Sequence, residues 1–420
     1  MPHRDDPAMI PTMTPATAPA ANEVPALRLS PPPFAGDVAL SRIWDALPLA
    51  RVVGGAVRDA LLGLPVADID LATPLAPEAA AEALRAAGIK VVPTGLAHGT
   101  VTAVVDRRGF EITALRRDVE TDGRHAVVLF TEDWRADAMR RDFTINALSL
   151  DRDGGVYDYA GGLGDLKAGL VRFVGDPATR IREDYLRILR FFRFQSRYGR
   201  SPPDAATREA LRAGIPGLAR LSVERVWMEL RRILSAADPV DGVALMAELG
   251  VLPAVAPELS AAPLAALRDA GAPADPILRV AAMLDADPAG FAERLKLSND
   301  DRDRLLRLRA TPAPKPADDD AALRRLLADY RRDDLIDRSW IAGAPERLRQ
   351  RLVALPQPVF PLMGKDVLAL GKAPGPAVGR LLYAVRAWWL AGGAVADRSA
   401  CLAELARQAC VPSPSAQDGS

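Results

Sequence analysis

The chain has 420 residues, of which 49% are hydrophobic and 26% charged, a composition typical of a globular protein with roughly two to four domains. Its 54 basic and 54 acidic residues cancel, which excludes a protein that is basic overall but allows a local basic surface. Two cysteines, Cys401 and Cys410, and three scattered histidines exclude a disulfide framework, a zinc site and histidine-based catalysis.

The two ends of the chain have biased compositions. Residues 1–39 are rich in proline and alanine, and residues 411–420 in proline and serine. Because neither stretch shows a hydrophobic period, we expect both to be disordered extensions. No apolar run approaches 18 residues, and no basic segment precedes an apolar core at the start. Neither a membrane span nor a signal peptide is therefore expected, and a cytoplasmic location is the default expectation.

Between residues 40 and 150, short β-type runs alternate with helical stretches. Strands are predicted at 51–53, 68–72, 89–92, 100–105, 110–115 and 145–150, and a helix at 76–87. After about residue 176 the strand patterns vanish and helical periodicity takes over. One apolar stripe consists of Val223, Val226, Trp227, Leu230, Ile233 and Leu234. The proline-rich segment 311–316 predicts a linker. The sequence therefore predicts an α+β head followed by an all-α body.

The most informative stretch is Val52-Val53-Gly54-Gly55-Ala56-Val57-Arg58-Asp59, which predicts a strand, a tight turn and a helix. Such a turn leaves backbone N–H groups free at a helix start, where a phosphate can bind. Arg58, one helical turn further on, would supply a positive fork for phosphate oxygens. Gly54 and Gly55 match neither the dinucleotide-binding pattern nor the P-loop pattern, so a purely structural turn remains the alternative.

Two aspartates follow this turn. Asp68 and Asp70 are one residue apart in a predicted strand, so both side chains project from the same face. Like charges at this spacing are typical of a divalent-metal site, and Glu111, which alternates with apolar neighbours, fits as a third carboxylate. The alternative is three solvent-facing acidic side chains. The glycine turn just before Asp68 favours a phosphoryl- or nucleotidyl-transfer site.

A third motif is Arg140-Arg141-Asp142-Phe143-Thr144-Ile145-Asn146-Ala147-Leu148. It predicts a polar cluster at the entrance to a buried strand. Arg141 could bind a triphosphate, while Asp142 and Asn146 could meet ribose hydroxyls. A turn capped by Asp142 explains the same residues equally well.

The fourth motif, Glu183-Asp184-Tyr185-Leu186-Arg187-Ile188-Leu189-Arg190, concerns base selection. On one helix, Asp184, Arg187 and Arg190 would share a face. An acceptor beside a donor matches cytosine and adenine, and it would leave unpaired polar groups against guanine and uracil. The alternative is an intrahelical ion pair worth about 0.3–0.5 kcal/mol.

With these four motifs in this order, the chain resembles the class II tRNA nucleotidyltransferase and bacterial poly(A) polymerase family. The linking stretches Gly161-Gly162-Leu163-Gly164-Asp165-Leu166-Lys167 and Arg172-Phe173-Val174-Gly175-Asp176-Pro177 and the helix beginning Leu221-Ser222-Val223-Glu224-Arg225 also match. The resemblance covers roughly residues 50 to 235. It implies a polymerase-β-like catalytic head at 40–150, a neck with the nucleotide-selecting helix at 151–236, a helical body at 237–310 and an RNA-binding helical tail at 311–410.

The resemblance also implies site residues. Mg²⁺ would bind Asp68 and Asp70, with Glu111 as the third catalytic carboxylate. The expected nucleotide-binding residues are Gly54, Gly55, Arg58, Arg141, Asp142, Asn146, Glu183, Asp184, Arg187, Arg190 and Arg193. The region 116–137 would correspond to a mobile loop that helps the switch from C to A addition.

The implied activity is template-independent addition of CCA to the 3′ end of tRNA from CTP and ATP by two-metal nucleotidyl transfer. The partners are then tRNA, CTP and ATP, with no membrane and no protein partner implied. A poly(A) polymerase and a CC-only or A-only enzyme share the fold and remain open. Two interpretations from other classes are an inactive RNA-binding relative and a small-molecule nucleotidyltransferase.

Overall fold

The computed structural model describes residues 23–66, 68–95, 99–121 and 126–410. The chain divides into two compact units, Met1–Ala219 and Arg220–Ser420. The first unit combines a mixed sheet with helices, and the described residues of the second form helices and one isolated β-bridge, between Leu259 and Leu284. The predicted α+β class, with a mixed-sheet head and helices after it, is confirmed. The finer borders at residues 150, 236 and 310 stay predictions.

The strands of the described residues all belong to the first unit. They are β1 (Leu27–Arg28), β2 (Arg51–Val53), β3 (Leu71–Thr73), β4 (Lys90–Gly95), β5 (Thr100–Val105), β6 (Arg108–Ala114), β7 (Arg116–Thr121), β8 (Ala126–Phe130), β9 (Ser149–Leu150) and β10 (Gly155–Tyr157). Eight of them form one sheet in the order β1-β10-β9-β2-β3-β6-β5-β4, and β7 pairs with β8 as a separate hairpin. Within the described strands, only β3 and β6 pair in parallel.

Helices alternate with the strands along the first unit and make up most of the second unit. In the first unit they are α1 (Val38–Ala46), α2 (Gly55–Leu61), α3 (Pro77–Ala86), α4 (Trp134–Met139), α5 (Gly162–Ala168), α6 (Pro177–Glu183), α7 (Leu186–Tyr198) and α8 (Ala205–Ala213). Aspartate side chains start several of them by accepting a backbone N–H at the first turn, which satisfies a donor that would otherwise lack a helical partner. These N-cap residues are Asp37, Asp133, Asp176 and Asp204.

The second unit is helical, as the sequence predicts. Its helices are α9 (Val223–Leu234), α10 (Val240–Glu248), α11 (Val251–Val255), α12 (Pro263–Asp269), α13 (Pro276–Met283), α14 (Pro288–Arg294), α15 (Asn299–Ala310), α16 (Asp320–Asp329), α17 (Arg332–Ile341), α18 (Glu346–Ala354), α19 (Gly364–Leu368), α20 (Pro376–Ala391) and α21 (Arg398–Ala409). The predicted stripe of α9 is buried from Val226 to Leu234. The predicted linker 311–316 lies between α15 and α16. Among the described helices, none has the length and apolar character needed to cross a membrane.

Two predictions about the first unit differ from the structure. The predicted strand at 145–150 is instead a 3₁₀ turn, Thr144–Asn146, followed by the two-residue β9. The turn forms because the N–H of Thr144 bonds to the carbonyl of Arg172 and Phe143 bridges to Phe173, which draws the backbone away from the sheet. The predicted disorder of residues 1–39 also fails over β1, which pairs with β10, and at the start of α1.

Aromatic side chains join the 3₁₀ turn to α7. The Phe143 and Phe173 ring centroids are 4.8 Å apart, and those of Phe143 and Phe194 are 5.1 Å apart. Phe191 stacks on Phe173 at 5.9 Å. All four rings are buried, so they hold the segment that contains Asp142 against the helix predicted to select the nucleotide.

Leu189 on α7 and Leu49 before β2 form a matched pair for a stability test. Leu189 is fully buried, whereas Leu49 is 62% exposed. We expect Leu189→Ala to lower the free energy of unfolding by about 2–5 kcal/mol, because it removes buried methyl groups and leaves a cavity. Leu49→Ala should change it by no more than about 0.5 kcal/mol. Urea unfolding followed by circular dichroism measures both, and equal shifts would contradict the packing of α7.

Candidate active site

A turn of two glycines connects β2 to α2. Gly54 has φ +68°, in the region that only glycine adopts without strain, and its N–H bonds to the carbonyl of Leu148 at 3.1 Å. A Cβ atom on Gly54 would lie 3.3 Å from Nη1 of Arg141. The missing side chain thus allows the Arg141 guanidinium to lie directly against the turn. The predicted strand, turn and helix are confirmed here.

The two aspartates lie just outside β3 rather than within it. The predicted strand from residue 68 was too long, since β3 begins at Leu71. The expected alternation nevertheless holds, because Asp68 and Asp70 are exposed and Ile69 between them is buried. The carbonyl of Asp70 also accepts the N–H of Val53 at 2.9 Å, so the backbone just before β3 is held against the end of β2 in the middle of the sheet.

Glu111 lies beside Asp70 because of the strand register. In the parallel pair, Leu71 of β3 lies opposite Ile112 of β6, so the residues one position earlier, Asp70 and Glu111, are neighbours. Along β6, Glu111 is exposed between buried Phe110 and buried Ile112. The predicted projection of Glu111 away from its apolar neighbours is therefore confirmed.

Neighbouring negative charges affect the pKa of Asp70. Loss of hydrating water raises the pKa of Asp70, and the charges of Glu111 and then Asp68 raise it further. Arg141 acts in the opposite direction and lowers this pKa. The three carboxylates and Arg141 thus form one electrostatic unit beside the Gly54 turn.

The donor chemistry of these carboxylates fits a hard divalent ion. Mg²⁺ prefers oxygen ligands and is usually bound by one or two carboxylates together with substrate phosphates. Asp68, Asp70 and Glu111 offer only oxygen, and their mutual repulsion is the kind that a bound cation relieves. Among the described residues, no group of three or more His, Cys, Asp or Glu side chains is gathered closely enough to hold an ion by itself, so Asp68 and Asp70 would hold one together with substrate phosphates.

Asp137 on α4 holds Arg141, and the sequence motifs did not identify it. This buried carboxylate accepts Nη2 of Arg141 at 3.1 Å, Nε of Arg140 at 2.8 Å and the backbone N–H of Arg116 at 3.3 Å. Burial alone would raise the pKa of Asp137, but the Arg141 and Arg140 charges hold it below its usual value. The spacing of three and four residues within one helical turn was the available signal.

The segment after Arg141 forms a chain of hydrogen bonds that reaches α7. Asp142 accepts Arg190 through Nε at 2.8 Å and also through Nη2, and it accepts Nδ2 of Asn146 at 3.1 Å. Burial would raise the pKa of Asp142, but the Arg190 charge and the bonds from Asn146 and the Phe143 N–H hold it low, so the carboxylate stays charged. The predicted ribose contacts of Asp142 and Asn146 stay predictions.

Arg58 continues the same chain and is buried. It donates Nη1 to Oδ1 of Asn146 at 2.5 Å, Nε to Asp59 at 2.9 Å and Nη2 to the hydroxyl of Tyr198 at 2.7 Å. Tyr198 in turn donates to Asp59 at 2.8 Å. No local signal could have indicated Tyr198, which lies 140 residues beyond Arg58 in the chain. The structure therefore gives Arg58 protein partners on each of its nitrogens.

The predicted single helix over the fourth motif is interrupted. Helix α6 ends at Glu183, and Asp184 is extended with φ −153° before α7 begins at Leu186. Asp184 accepts the N–H of Leu186 at 3.0 Å, so it starts α7 instead of sharing a helical face with Arg187. Glu183 pairs with Arg187 across the interruption. The predicted ion pair exists, but its acid is Glu183.

Two further predicted elements lie nearby. Arg193 lies over the ring of Phe194, with its guanidinium carbon 4.5 Å from the ring centroid. The region predicted as a mobile loop contains the β7–β8 hairpin and α4. Residues 122–125 of that loop lie outside the described residues, and its mobility stays a prediction.

Comparison with known proteins decides the family. Residues 50–172 match the model described as "Poly A polymerase head domain", and residues 203–262 match "Probable RNA and SrmB- binding site of polymerase A". The mitochondrial CCA tRNA nucleotidyltransferase 1 of Mus musculus is 36% identical over 367 residues, which cover 82% of this chain and 83% of that protein. The chain belongs to the CCA-adding tRNA nucleotidyltransferase family. The resemblance inferred from the motifs is confirmed.

Other members of the CCA-adding family are similar over comparable lengths. The CCA-adding enzyme of Geobacillus stearothermophilus is 33% identical over 363 residues, covering 80% of this chain and 87% of that one. The crystal structure of the Bacillus stearothermophilus CCA-adding enzyme in complex with CTP matches with a TM-score of 0.71 at 28% identity, over 90% of this chain and 98% of that chain. Nucleotidyltransferases of this family generally use a divalent metal ion.

The raised pKa of Asp70 predicts a gain in stability when its charge is removed. A carboxyl group whose pKa is higher in the folded than in the unfolded protein destabilises the fold above that pKa, and the penalty disappears below the ordinary value of about 3.9. In chelator at pH 7.5, Asp70→Asn should raise the urea midpoint, and the difference should shrink toward pH 4. Added Mg²⁺ should stabilise the unmodified chain more than the variant.

The control for this experiment is Asp153→Asn, an exposed aspartate in the turn before β10. We expect no change in its midpoint at either pH. A midpoint for Asp70→Asn that equals or falls below that of the unmodified chain at pH 7.5 would show that Asp70 is not under electrostatic strain.

Proposed function

We propose that this chain adds C, C and A to the 3′ end of tRNA from CTP and ATP, without a nucleic-acid template. The observation that carries the proposal is the crowding of Asp68, Asp70 and Glu111 beside the Gly54–Gly55 turn. Negative charge is gathered there at a cost to stability, which divalent cations bound with the triphosphate would offset. Similarity to CCA-adding enzymes over most of the chain supports the same activity.

The reaction is an in-line displacement at the α-phosphate of the incoming nucleotide. The 3′-hydroxyl oxygen of the tRNA attacks the α-phosphorus and its proton goes to solvent. The bond from the α-phosphorus to the α–β bridging oxygen breaks, and pyrophosphate leaves with that electron pair. Divalent ions, which we propose are Mg²⁺ on Asp68 and Asp70, supply charge neutralisation and a lowered hydroxyl pKa when bound. Glu111 would add a third carboxylate beside the same ions. The protein otherwise contributes by holding the nucleotide and the 3′ end of the tRNA in the geometry that reacts.

The triphosphate is bound at the glycine turn. Arg141 lies against Gly54 and carries a guanidinium that suits phosphate oxygens. Asp137 fixes Arg141 through its Nη2, while Nη1 of the same guanidinium lies beside the turn. Gly55 lets the backbone approach the phosphates closely.

Base selection is assigned to the start of α7. In this proposal Arg187 on α7 presents a donor to the base, and Asp184, which lies in the extended backbone before α7 and not on the same helical face, presents an acceptor. The two together suit cytosine and adenine but leave polar groups unpaired against guanine and uracil. Glu183 positions Arg187 through their ion pair, and Arg187 also bonds through Nη1 to the carbonyl of Arg180 at 2.8 Å. Arg193, further along α7, adds another positive charge to this region.

The helical residues bind the tRNA. We propose that the regions 237–310 and 311–410 contact the tRNA backbone and its shape rather than its sequence. The match of residues 203–262 to an RNA-binding family model supports this assignment. The cytoplasmic location stays a prediction, since relatives at 36–37% identity carry mitochondrial names.

One alternative has specific support. The matching head-domain model is named for poly(A) polymerase, so addition of a run of A residues is the second candidate activity. The CCA assignment is preferred because relatives named for CCA addition cover four-fifths of the chain.

The product formed on tRNA lacking its 3′ end tests the activity. With CTP alone we expect two added residues, with ATP alone none, and with both a product of three residues that grows no further. A long ladder with ATP alone would support poly(A) polymerase instead. Asp68→Ala should abolish addition while the affinity for tRNA in a filter-binding assay stays near that of the unmodified chain. Normal turnover in that variant would remove the metal assignment.

Arg187 is the residue to change in a test of base choice. Arg187→Ala removes the donor and should allow GTP and UTP to be incorporated at rates within about tenfold of CTP, because the discriminating hydrogen bonds are lost. Arg182→Ala is the matched control, since Arg182 is exposed at the end of α6. Selectivity among the four nucleotides that is unchanged in Arg187→Ala would refute the assignment.

A further inference from the structure

One stripe of side chains on helix α7 contacts the head. Arg190, Phe194 and Tyr198 are spaced four residues apart, so they lie on one face over about 12 Å of helix. Arg190 bonds to Asp142 at one end, and Tyr198 bonds to Arg58 and Asp59 at the other. The stripe therefore holds both ends of a single hydrogen-bonded chain.

The hydroxyl of Tyr198 is central to its end of this chain. It accepts Nη2 of Arg58 at 2.7 Å and donates to Oδ1 of Asp59 at 2.8 Å, so both of its hydrogen-bonding functions are used. The Arg58 guanidinium carbon also lies 4.1 Å from the centroid of the Tyr198 ring. Burial raises the pKa of Tyr198 to about 12, so the hydroxyl keeps its proton at neutral pH.

Arg58 in turn lies against the glycine turn. A Cβ atom on Gly55 would be 3.4 Å from Nη2 of Arg58, which is the nitrogen that Tyr198 accepts. Nη1 of the same guanidinium bonds to Asn146, whose amide continues to Asp142. A shift of the Arg58 side chain would therefore change the position of both the Gly54–Gly55 turn and the segment after Arg141.

We propose that Tyr198 is a positioning residue for the triphosphate, and that its hydroxyl fixes Arg58 and with it the backbone of the Gly54–Gly55 turn. The effect is transmitted through the protein and involves no contact with the base. It therefore acts equally on CTP and ATP. The inference rests on the proposed function, since it assigns the turn to triphosphate binding.

Tyr198→Phe tests this role with the ring retained. The hydroxyl bonds to two charged side chains, and hydrogen bonds of this kind are among the strongest, so we expect KM for CTP and for ATP to rise together by about tenfold or more. KM for tRNA should stay close to that of the unmodified chain. Because loss of the buried hydroxyl also lowers the urea midpoint, the KM values are measured well below the midpoint of the variant, where it is fully folded. A merely structural role would lower the midpoint and the active fraction while leaving the KM values unchanged, and that result would overturn the proposal.

Tyr157→Phe is the matched control. Its hydroxyl also donates to an aspartate, Asp151, at 2.9 Å in the same unit, but Tyr157 is not hydrogen-bonded to the chain from Arg190 to Tyr198. We expect its KM values to equal those of the unmodified chain. A rise in nucleotide KM that is the same in both variants would overturn a specific role for Tyr198.

Asp59→Ala provides an independent second variant. It removes the acceptor of the Tyr198 hydroxyl, so it should raise both nucleotide KM values in the same direction. Because both residues fix the same Arg58 guanidinium, Tyr198 at Nη2 and Asp59 at Nε, the rise in KM of the double variant should be smaller than the product of the two single effects. Effects that multiply would contradict the shared chain.

Calorimetric titration of CTP in Mg²⁺ without tRNA separates this inference from the proposed function. If the unmodified chain adds no C or A, the proposed function fails, while the ratio of CTP dissociation constants between Tyr198→Phe and the unmodified chain still reports on the positioning role. A ratio near one overturns that role, and a ratio of about ten supports it.

Discussion

Repulsion among three carboxylates is the constraint around which the head is organised. Asp70 and Glu111 become neighbours through the parallel register of β3 and β6, and Asp68 joins them because side chains alternate along the chain. Burial and the two neighbouring carboxylates raise the pKa of Asp70, which indicates an arrangement that costs stability instead of adding to it. The hydrogen bonds and packing of the rest of the sheet hold these three residues in place despite their repulsion.

The surrounding positive charge is fixed by buried acids. Asp137 holds Arg141 beside the glycine turn, and Asp142 holds Arg190 on α7. Each guanidinium is thus oriented before any ligand binds, which reduces the entropy lost on binding. The three carboxylates of the site are exposed, whereas Asp137 and Asp142, which hold the arginines, are buried. The aromatic cluster around Phe143 packs the segment that contains Asp142 against α7.

Sequence patterns predicted those features that depend on local alternation. The strand at 100–105, the exposed Glu111 between buried neighbours and the glycine turn follow from residue order alone. Features that depend on distant partners could not be predicted. The strand predicted after Thr144 became a turn because Arg172 offers its carbonyl there, and Asp184 left the helix because it accepts a backbone N–H at the start of α7. Tyr198 meets Arg58 across 140 residues, so no motif contains both.

Equilibrium binding of Mn²⁺, followed by electron paramagnetic resonance with a non-hydrolysable CTP analogue present, tests the central claim most directly. If Asp68, Asp70 and Glu111 share the ions, Glu111→Gln as well as Asp70→Asn should weaken Mn²⁺ binding by at least about tenfold, a figure we take from the cost of losing one charged oxygen ligand. The exposed variant Asp153→Asn should bind as the unmodified chain does. Mn²⁺ affinity that is unchanged by Glu111→Gln and Asp70→Asn would contradict a shared metal site.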